Sequence, residues 1–162
     1  MSTYNGAKYI REQIDSIMNQ SGVDVTLIVR DDGSSDVTRD ILSSYQHQYS
    51  NFIVILGQKN LGPCGSFVEL ISTQSGYDYY ALADQDDVWL DDKIISAIEM
   101  IESCADFEEP VLYHSNLTIT NEAGESLRLS HATAHELRNK YAPLISFSAT
   151  GCTIVYNAAL AE

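Results

Sequence analysis

Ala83-Asp84-Gln85-Asp86-Asp87-Val88-Trp89 places three carboxylates at the end of the apolar run Tyr79 to Ala83. A strand that ends in Asp-x-Asp sets its acids at the carboxyl edge of a sheet, where open α/β folds bind ligands and hard oxygen donors hold Mg²⁺ or Mn²⁺. Alone, the pattern has two readings: a metal-diphosphate site, or a solvated acidic turn that caps the next helix. A second acidic strand end upstream favours the first. In Leu27-Ile28-Val29-Arg30-Asp31-Asp32-Gly33-Ser34-Ser35-Asp36 a β-branched run stops at two carboxylates. A Gly-Ser turn follows, and Ser35 or Asp36 is placed to cap a helix beginning near Val37. If both strands lie parallel in one sheet, their acidic ends converge on one crevice. A carboxylate there accepts hydrogen bonds from a base or ribose, and a pair bridges a cation to phosphate oxygens.

Helical and extended patterns alternate around these two ends. Ala7, Ile10, Ile14, Ile17 and Met18 recur at helical spacing before a strand over Val25 to Val29. Val37, Ile41, Leu42 and Tyr45 predict a second helix, and Phe52 to Leu56 a second strand. Phe67, Leu70 and Ile71 mark a third helix ahead of the strand at Tyr79, and Ile94, Ile95, Ile98 and Ile101 a fourth after the acidic motif. Such alternation predicts an α/β fold, a mostly parallel sheet flanked by helices on both faces. After Pro110 the pattern turns mixed: Val111 to Thr120 alternates like a strand, Asn121 to Gly124 reads as a turn, and Gly151 to Tyr156 as another short strand. Residues 130–141 are polar and read as a helix or a mobile loop.

With 162 residues and 44% hydrophobic content, the chain suits a single domain with its own core. No apolar run is long enough to span a bilayer. The net charge of −14, with only nine Lys and Arg, argues against a nucleic-acid surface. A nucleotide is compatible with it, because one bound divalent ion reverses the local field. Cys64, Cys104 and Cys152 have neither disulfide-framework nor zinc spacing and read as reduced structural thiols in a cytoplasmic protein. His131 and His135 stand four apart but lack the acid of a zincin pattern, so they read as solvent-facing or hydrogen-bonded.

Both ends break the βα pattern. Met1-Ser2-Thr3-Tyr4-Asn5-Gly6 enters a helix without the apolar strand expected before it, and Asn157 to Glu162 stops where a helix starts. The expectation is a piece excised from a longer protein, with an under-paired sheet edge through which two copies could form a homodimer.

Five segments, Ser2-Thr3-Tyr4-Asn5-Gly6, Arg30 to Asp36, Asn60-Leu61-Gly62, Asp84 to Trp89 and Thr150-Gly151-Cys152, occur in the order seen in glycosyltransferase family 2. The whole chain resembles that family's GT-A domain, especially its bacterial rhamnosyltransferase-like members. The resemblance implies a Rossmann-like GT-A domain over 1–162, with 1–109 its nucleotide-binding half and 110–162 the start of the acceptor-side half of a truncated catalytic domain. It also implies inverting transfer of a sugar from a nucleoside-diphosphate donor, dTDP-rhamnose or a UDP-sugar, to an acceptor hydroxyl. The implied acceptor is a saccharide or lipid-linked saccharide in cell-surface polysaccharide synthesis, at the inner face of the membrane. By this similarity Thr3 and Tyr4 line the nucleotide pocket, Asp31 or Asp32 accepts from the base, and Asp84 and Asp86 bind ribose and a divalent cation, Mg²⁺ or Mn²⁺. Asp87 either helps hold the metal or caps a helix. Trp89 either walls the sugar site or packs the sheet edge.

An inverting transferase also needs a base for the acceptor proton, which in this family usually lies in a later acidic motif. None precedes Glu162, so the base is expected beyond it and the fragment is expected to bind donor without transferring it. Asn116 stands where many relatives carry Asp, and His114 is the remaining candidate, with a structural role as the alternative. A nucleotidyltransferase of related fold would need a basic, glycine-rich loop, and Gly62-Pro63-Cys64-Gly65 has only Lys59 nearby. A non-catalytic nucleotide-sugar-binding module would keep the fold without metal-dependent binding.

Overall fold

The computed structural model describes residues 1–104, 108–121, 124–130 and 150–161. The expectations for His131, His135 and most of 130–141 lie outside them. The first half alternates strand and helix: β1 (Ser2–Thr3), α1 (Ile10–Met18), β2 (Leu27–Asp31), α2 (Thr38–Gln48), β3 (Phe52–Leu56), α3 (Gly62–Thr73), β4 (Tyr79–Ala81) and α4 (Lys93–Cys104). The second half holds β5 (Leu112–His114), β6 (Thr118–Thr120), β7 (Ser126–Leu129), β8 (Ile154–Asn157) and α5 (Ala158–Ala161).

β1, β2 and β3 form a parallel sheet in that order, with Ser2 beside Arg30 and Leu27 beside Phe52. The apolar stripes read from the sequence form its cover. Ile10, Ile14 and Ile17 of α1 and Ile41, Leu42 and Tyr45 of α2 are buried with Leu27, Val29 and Phe52. Burying side chains of this size contributes about 1.5–3 kcal/mol each. Ile94, Ala97 and Ile101 of α4 and Val155 of β8 extend the same core. No helix among the described residues is long and apolar enough to cross a membrane.

Four details depart from the sequence patterns. The two acidic strand ends do not share one hydrogen-bonded sheet, since β4 pairs antiparallel with β8 in the order β4-β8-β5. A first strand does precede α1. It is two polar residues long, held because the β2 backbone supplies partners: the amides of Arg30 and Asp32 donate to Met1 O and Thr3 O at 2.9 and 2.8 Å. The run Val111 to Thr120 splits into β5 and β6, because Ser115 N donates to Thr153 O on β8's side while Ser130 N donates to Leu117 O on the β6–β7 hairpin. Gly151 to Thr153 is a 3₁₀ turn, and β8 starts only at Ile154.

Candidate functional site

A cleft of about 390 Å³ lies where β1, β2 and the segment after β4 end, lined by Thr3, Tyr4, Asp32, Asn60, Asp84, Gln85 and Asp86 among others. Five of the six residues expected at a donor site therefore share one cavity, and Asp31 does not. Its fully buried carboxylate accepts Ser34 N at 3.2 Å and Arg39 Nε at 2.6 Å, so it holds the Gly33-Ser34 turn. Gly33 has φ +94°, where a Cβ is disfavoured, which is why glycine stands after the paired acids.

Asp32 faces the cleft and organises its rim. The carboxylate pairs with the buried Arg30 guanidinium and accepts Leu61 N at 2.9 Å and Gly62 N at 2.8 Å. Burial alone would raise its pKa, but these amides and the guanidinium together outweigh it and hold the carboxyl below the ordinary value. Arg30 is anchored in turn by Glu69 at 3.2 Å and by Lys59 O at 3.4 Å. The loop Asn60-Leu61-Gly62 is thereby fixed to the end of β2.

Gln85, the unassigned x of Asp-x-Asp, clamps β1 to the acidic segment. Its Oε1 accepts Thr3 Oγ1 at 2.7 Å and Tyr4 N at 2.9 Å, and its Nε2 donates to Tyr4 O at 3.3 Å. Gly6 is needed beside it, since a Cβ there would lie 2.4 Å from Gln85 Oε1. Tyr4 is 49% exposed and lines the cleft.

A polar row formed by Gln13 and Ser16 of α1 and by Gln20 just past its end sets the path of the acidic segment. Gln13 Nε2 donates to Asp84 O at 3.0 Å, Trp89 N to Ser16 Oγ at 3.0 Å, and Gln20 Nε2 to Leu90 O at 2.7 Å. Gln20 Oε1 also accepts Ile94 N at 3.0 Å, at the start of α4. Trp89 is buried in the core with Lys93 Nζ 4.5 Å above its ring, which is the packing reading of that residue.

Asp84 and Asp87 converge with Cys152, their ligand atoms all within 4.8 Å, while Asp86 stays exposed on the cleft wall. Burial first, then repulsion from Asp87 and Asp86, raises the pKa of Asp84. Burial and Asp87 push the Cys152 thiol up to about 12. Lys93 Nζ donates to Cys152 O at 2.6 Å and so fixes the 3₁₀ turn against the acids. Asp87 Oδ2 is buried without a hydrogen-bond partner. Two hard carboxylates, one kept basic by burial and its acidic neighbours and one with an idle oxygen, fit a divalent cation. Asn116 caps its own loop by accepting Leu117 N at 2.9 Å, and His114 lies on β5.

The sequence profile described as Glycosyl transferase family 2 matches residues 1–162. The chain belongs to glycosyltransferase family 2. It is 34% identical over 159 residues to the dTDP-rhamnosyl transferase RfbG of Shigella flexneri, covering 96% of this chain and 53% of that one. S. aureus TarS 1–349, solved in complex with UDP-GlcNAc, superposes with a TM-score of 0.70 at 21% identity, covering 98% of this chain and 44% of TarS. The mannosyltransferase PcManGT of Pyrobaculum calidifontis, solved with GDP-Man and Mn²⁺, gives 0.53 at 21% identity, covering 60% of this chain and 30% of that one. The chain thus spans about half the length of RfbG. The likeness to TarS shows the same GT-A fold, α/β with a parallel sheet and antiparallel strands in its later part.

Proposed function

We propose that this family 2 chain binds a nucleoside-diphosphate sugar in the cleft between β1, β2 and the acidic segment, for inverting transfer to an acceptor hydroxyl. The observation that carries this reading is the meeting of Thr3, Tyr4, Asp32, Asp84 and Asp86 on one cleft from three separate strand ends. The similarity to RfbG favours dTDP-rhamnose as donor, and the shared fold with UDP-GlcNAc-bound TarS keeps UDP-sugars next.

The cleft residues divide the work by their chemistry. Asp32 has accepting capacity left beyond its three protein donors, which suits the imide N–H of a uracil or thymine. Tyr4 offers a face for base stacking, worth about 1–3 kcal/mol. Asp84 and Asp87 would hold the divalent cation, with Asp86 on the side of the ribose and diphosphate. A bound cation supplies charge neutralisation at the leaving diphosphate. In the transfer the acceptor oxygen bonds to the anomeric carbon from the face opposite the diphosphate. The anomeric C–O bond breaks with its electron pair staying on the diphosphate, and the acceptor proton passes to a base. The acceptor is a saccharide or lipid-linked saccharide.

Thermal stability measured with UDP, dTDP and GDP, each with Mn²⁺ or with EDTA, tests this reading. Stabilisation by dTDP or UDP that grows with Mn²⁺ is expected. One melting temperature across all six conditions would overturn it.

A further inference from the structure

A buried thiol used only for packing sits among apolar neighbours. Cys152 is only 7% exposed, yet its sulfur lies against two carboxylates, with one oxygen each of Asp84 and Asp87 and the sulfur all within 4.8 Å of one another. Zinc–ligand bonds run about 2.0–2.3 Å, so three atoms gathered this closely are within reach of one ion. A second observation points to a ligand at the same place. Asp87 Oδ2 is buried and has no hydrogen-bond partner, which leaves an acceptor idle inside the cluster. The ammonium that could have served it is engaged elsewhere. Lys93 Nζ donates to Cys152 O at 2.6 Å and lies 4.5 Å above the Trp89 ring, and among the described residues it forms a salt bridge with neither Asp84 nor Asp87.

The backbone sets the thiol in place. Thr153 N and Thr153 Oγ1 both donate to Thr150 O, at 2.9 and 2.7 Å, and close the 3₁₀ turn that carries Cys152. Leu82 N donates to Ile154 O at 3.2 Å, tying the strand after the turn to the segment ahead of Asp84. Gln13 Nε2 holds Asp84 O from the side of α1. Outer contacts of this kind orient ligands before the ion arrives and are worth about 10–100-fold in metal affinity.

We propose, resting on the reading of Asp84 and Asp87 as cation ligands, that Cys152 is the third protein ligand of that cation. The centre is then a mixed sulfur and oxygen site that takes thiophilic divalent ions, Zn²⁺ or Co²⁺, ahead of Mg²⁺. Mg²⁺ keeps to near-octahedral oxygen ligands and gives up water reluctantly, whereas a thiolate selects softer ions. The carboxylates that repel a thiolate are the groups the ion neutralises, so the thiol proton leaves to solvent as the sulfur binds.

The test uses the 162-residue chain with Cys64→Ser and Cys104→Ser, which removes the two exposed thiols and leaves Cys152 alone. Co²⁺ should give the near-ultraviolet sulfur-to-metal charge-transfer band, Cys152→Ser should abolish it, and Asp87→Asn should weaken Co²⁺ binding by roughly tenfold. Zn²⁺ should displace Mn²⁺, followed by electron paramagnetic resonance, at a concentration roughly a hundredfold or more below that of Mg²⁺. Cys152→Ser should shrink that preference by about tenfold or more. If Cys152→Ser fails to fold, the parent chain decides, since only one thiol can give the band. Co²⁺ that binds, by thermal shift, without the band would overturn the proposal and leave the acids as an all-oxygen site. A band that survives Cys152→Ser, or a Zn²⁺ preference equal with and without the thiol, would overturn it as well. A Co²⁺ band present while dTDP and UDP leave metal affinity unchanged would support Cys152 as ligand and count against the donor reading, so the two fail separately.

Discussion

Thr3 and Gln85, 82 residues apart in sequence, share a 2.7 Å hydrogen bond that locks the end of β1 to the acidic segment. The bond makes the two halves of the cleft one object. Gln85→Ala removes it together with the Tyr4 amide contact, and should weaken nucleotide binding by roughly tenfold for a stability loss of about 1–2 kcal/mol. Gly6→Ala should behave alike, because its Cβ would intrude on Gln85 Oε1. Calorimetric titration with dTDP alongside urea unfolding separates the two effects. Binding unchanged in both variants would remove Gln85 from the site.

Asp31 and Asp32 should respond differently to the isosteric change to Asn. Asp31→Asn loosens the Ser34 turn and its Arg39 pair, lowering stability with dTDP affinity held within about twofold. Asp32→Asn removes the buried one of the two carboxylates paired with Arg30 and leaves only Glu69, so it should cost up to about 3–5 kcal/mol and weaken binding as well. Equal binding losses in the two variants would contradict this division.

Gln20, just past α1, predicts a stability effect far from any expected ligand. Gln20→Ala strands Leu90 O and Ile94 N together and should cost about 1–3 kcal/mol. Gln13→Ala should mainly free Asp84 O and raise the metal concentration needed for nucleotide-linked stabilisation. Urea midpoints at fixed Mn²⁺ check both.

The pH profile carries the signature of the buried Met1 amine, lowered from 8.0 to about 5. Between those values the unfolded chain binds a proton that the folded chain does not, so stability rises with pH across the window and is lost as pH falls toward 5. Acetylating the amine keeps an N–H for Ile28 O and removes the titration. The acetylated chain should show a flatter profile from pH 5 to 8. Parallel profiles for the two forms would contradict the buried amine.

The sequence made the helices legible because each presents an apolar stripe to one core, as Ile10, Ile14 and Ile17 do for α1. It located the acids because each apolar run stops at them, Leu27 to Val29 ahead of Asp31-Asp32 and Tyr79 to Ala83 ahead of Asp84. Cys152 joins Asp84 through a tertiary contact across the whole second half, which no local spacing encodes. Gln13, Ser16 and Gln20 follow helical spacing, and buried polar residues within a helical stripe were the available signal. Gln85 carried none, because its partners are the Thr3 hydroxyl of β1 and the backbone of Tyr4 just after it. The hairpin of β6 and β7 escaped periodicity as well, since every residue of β7 is exposed and no buried face imposes alternation.

Mn²⁺ titration followed by electron paramagnetic resonance, with and without dTDP or UDP, tests most directly whether the cleft is a metal-assisted donor site. The nucleotide should tighten Mn²⁺ by about tenfold or more, and Asp84→Asn or Asp87→Asn should abolish that coupling. Mn²⁺ affinity indifferent to both nucleotides, or coupling intact in both variants, would contradict the account.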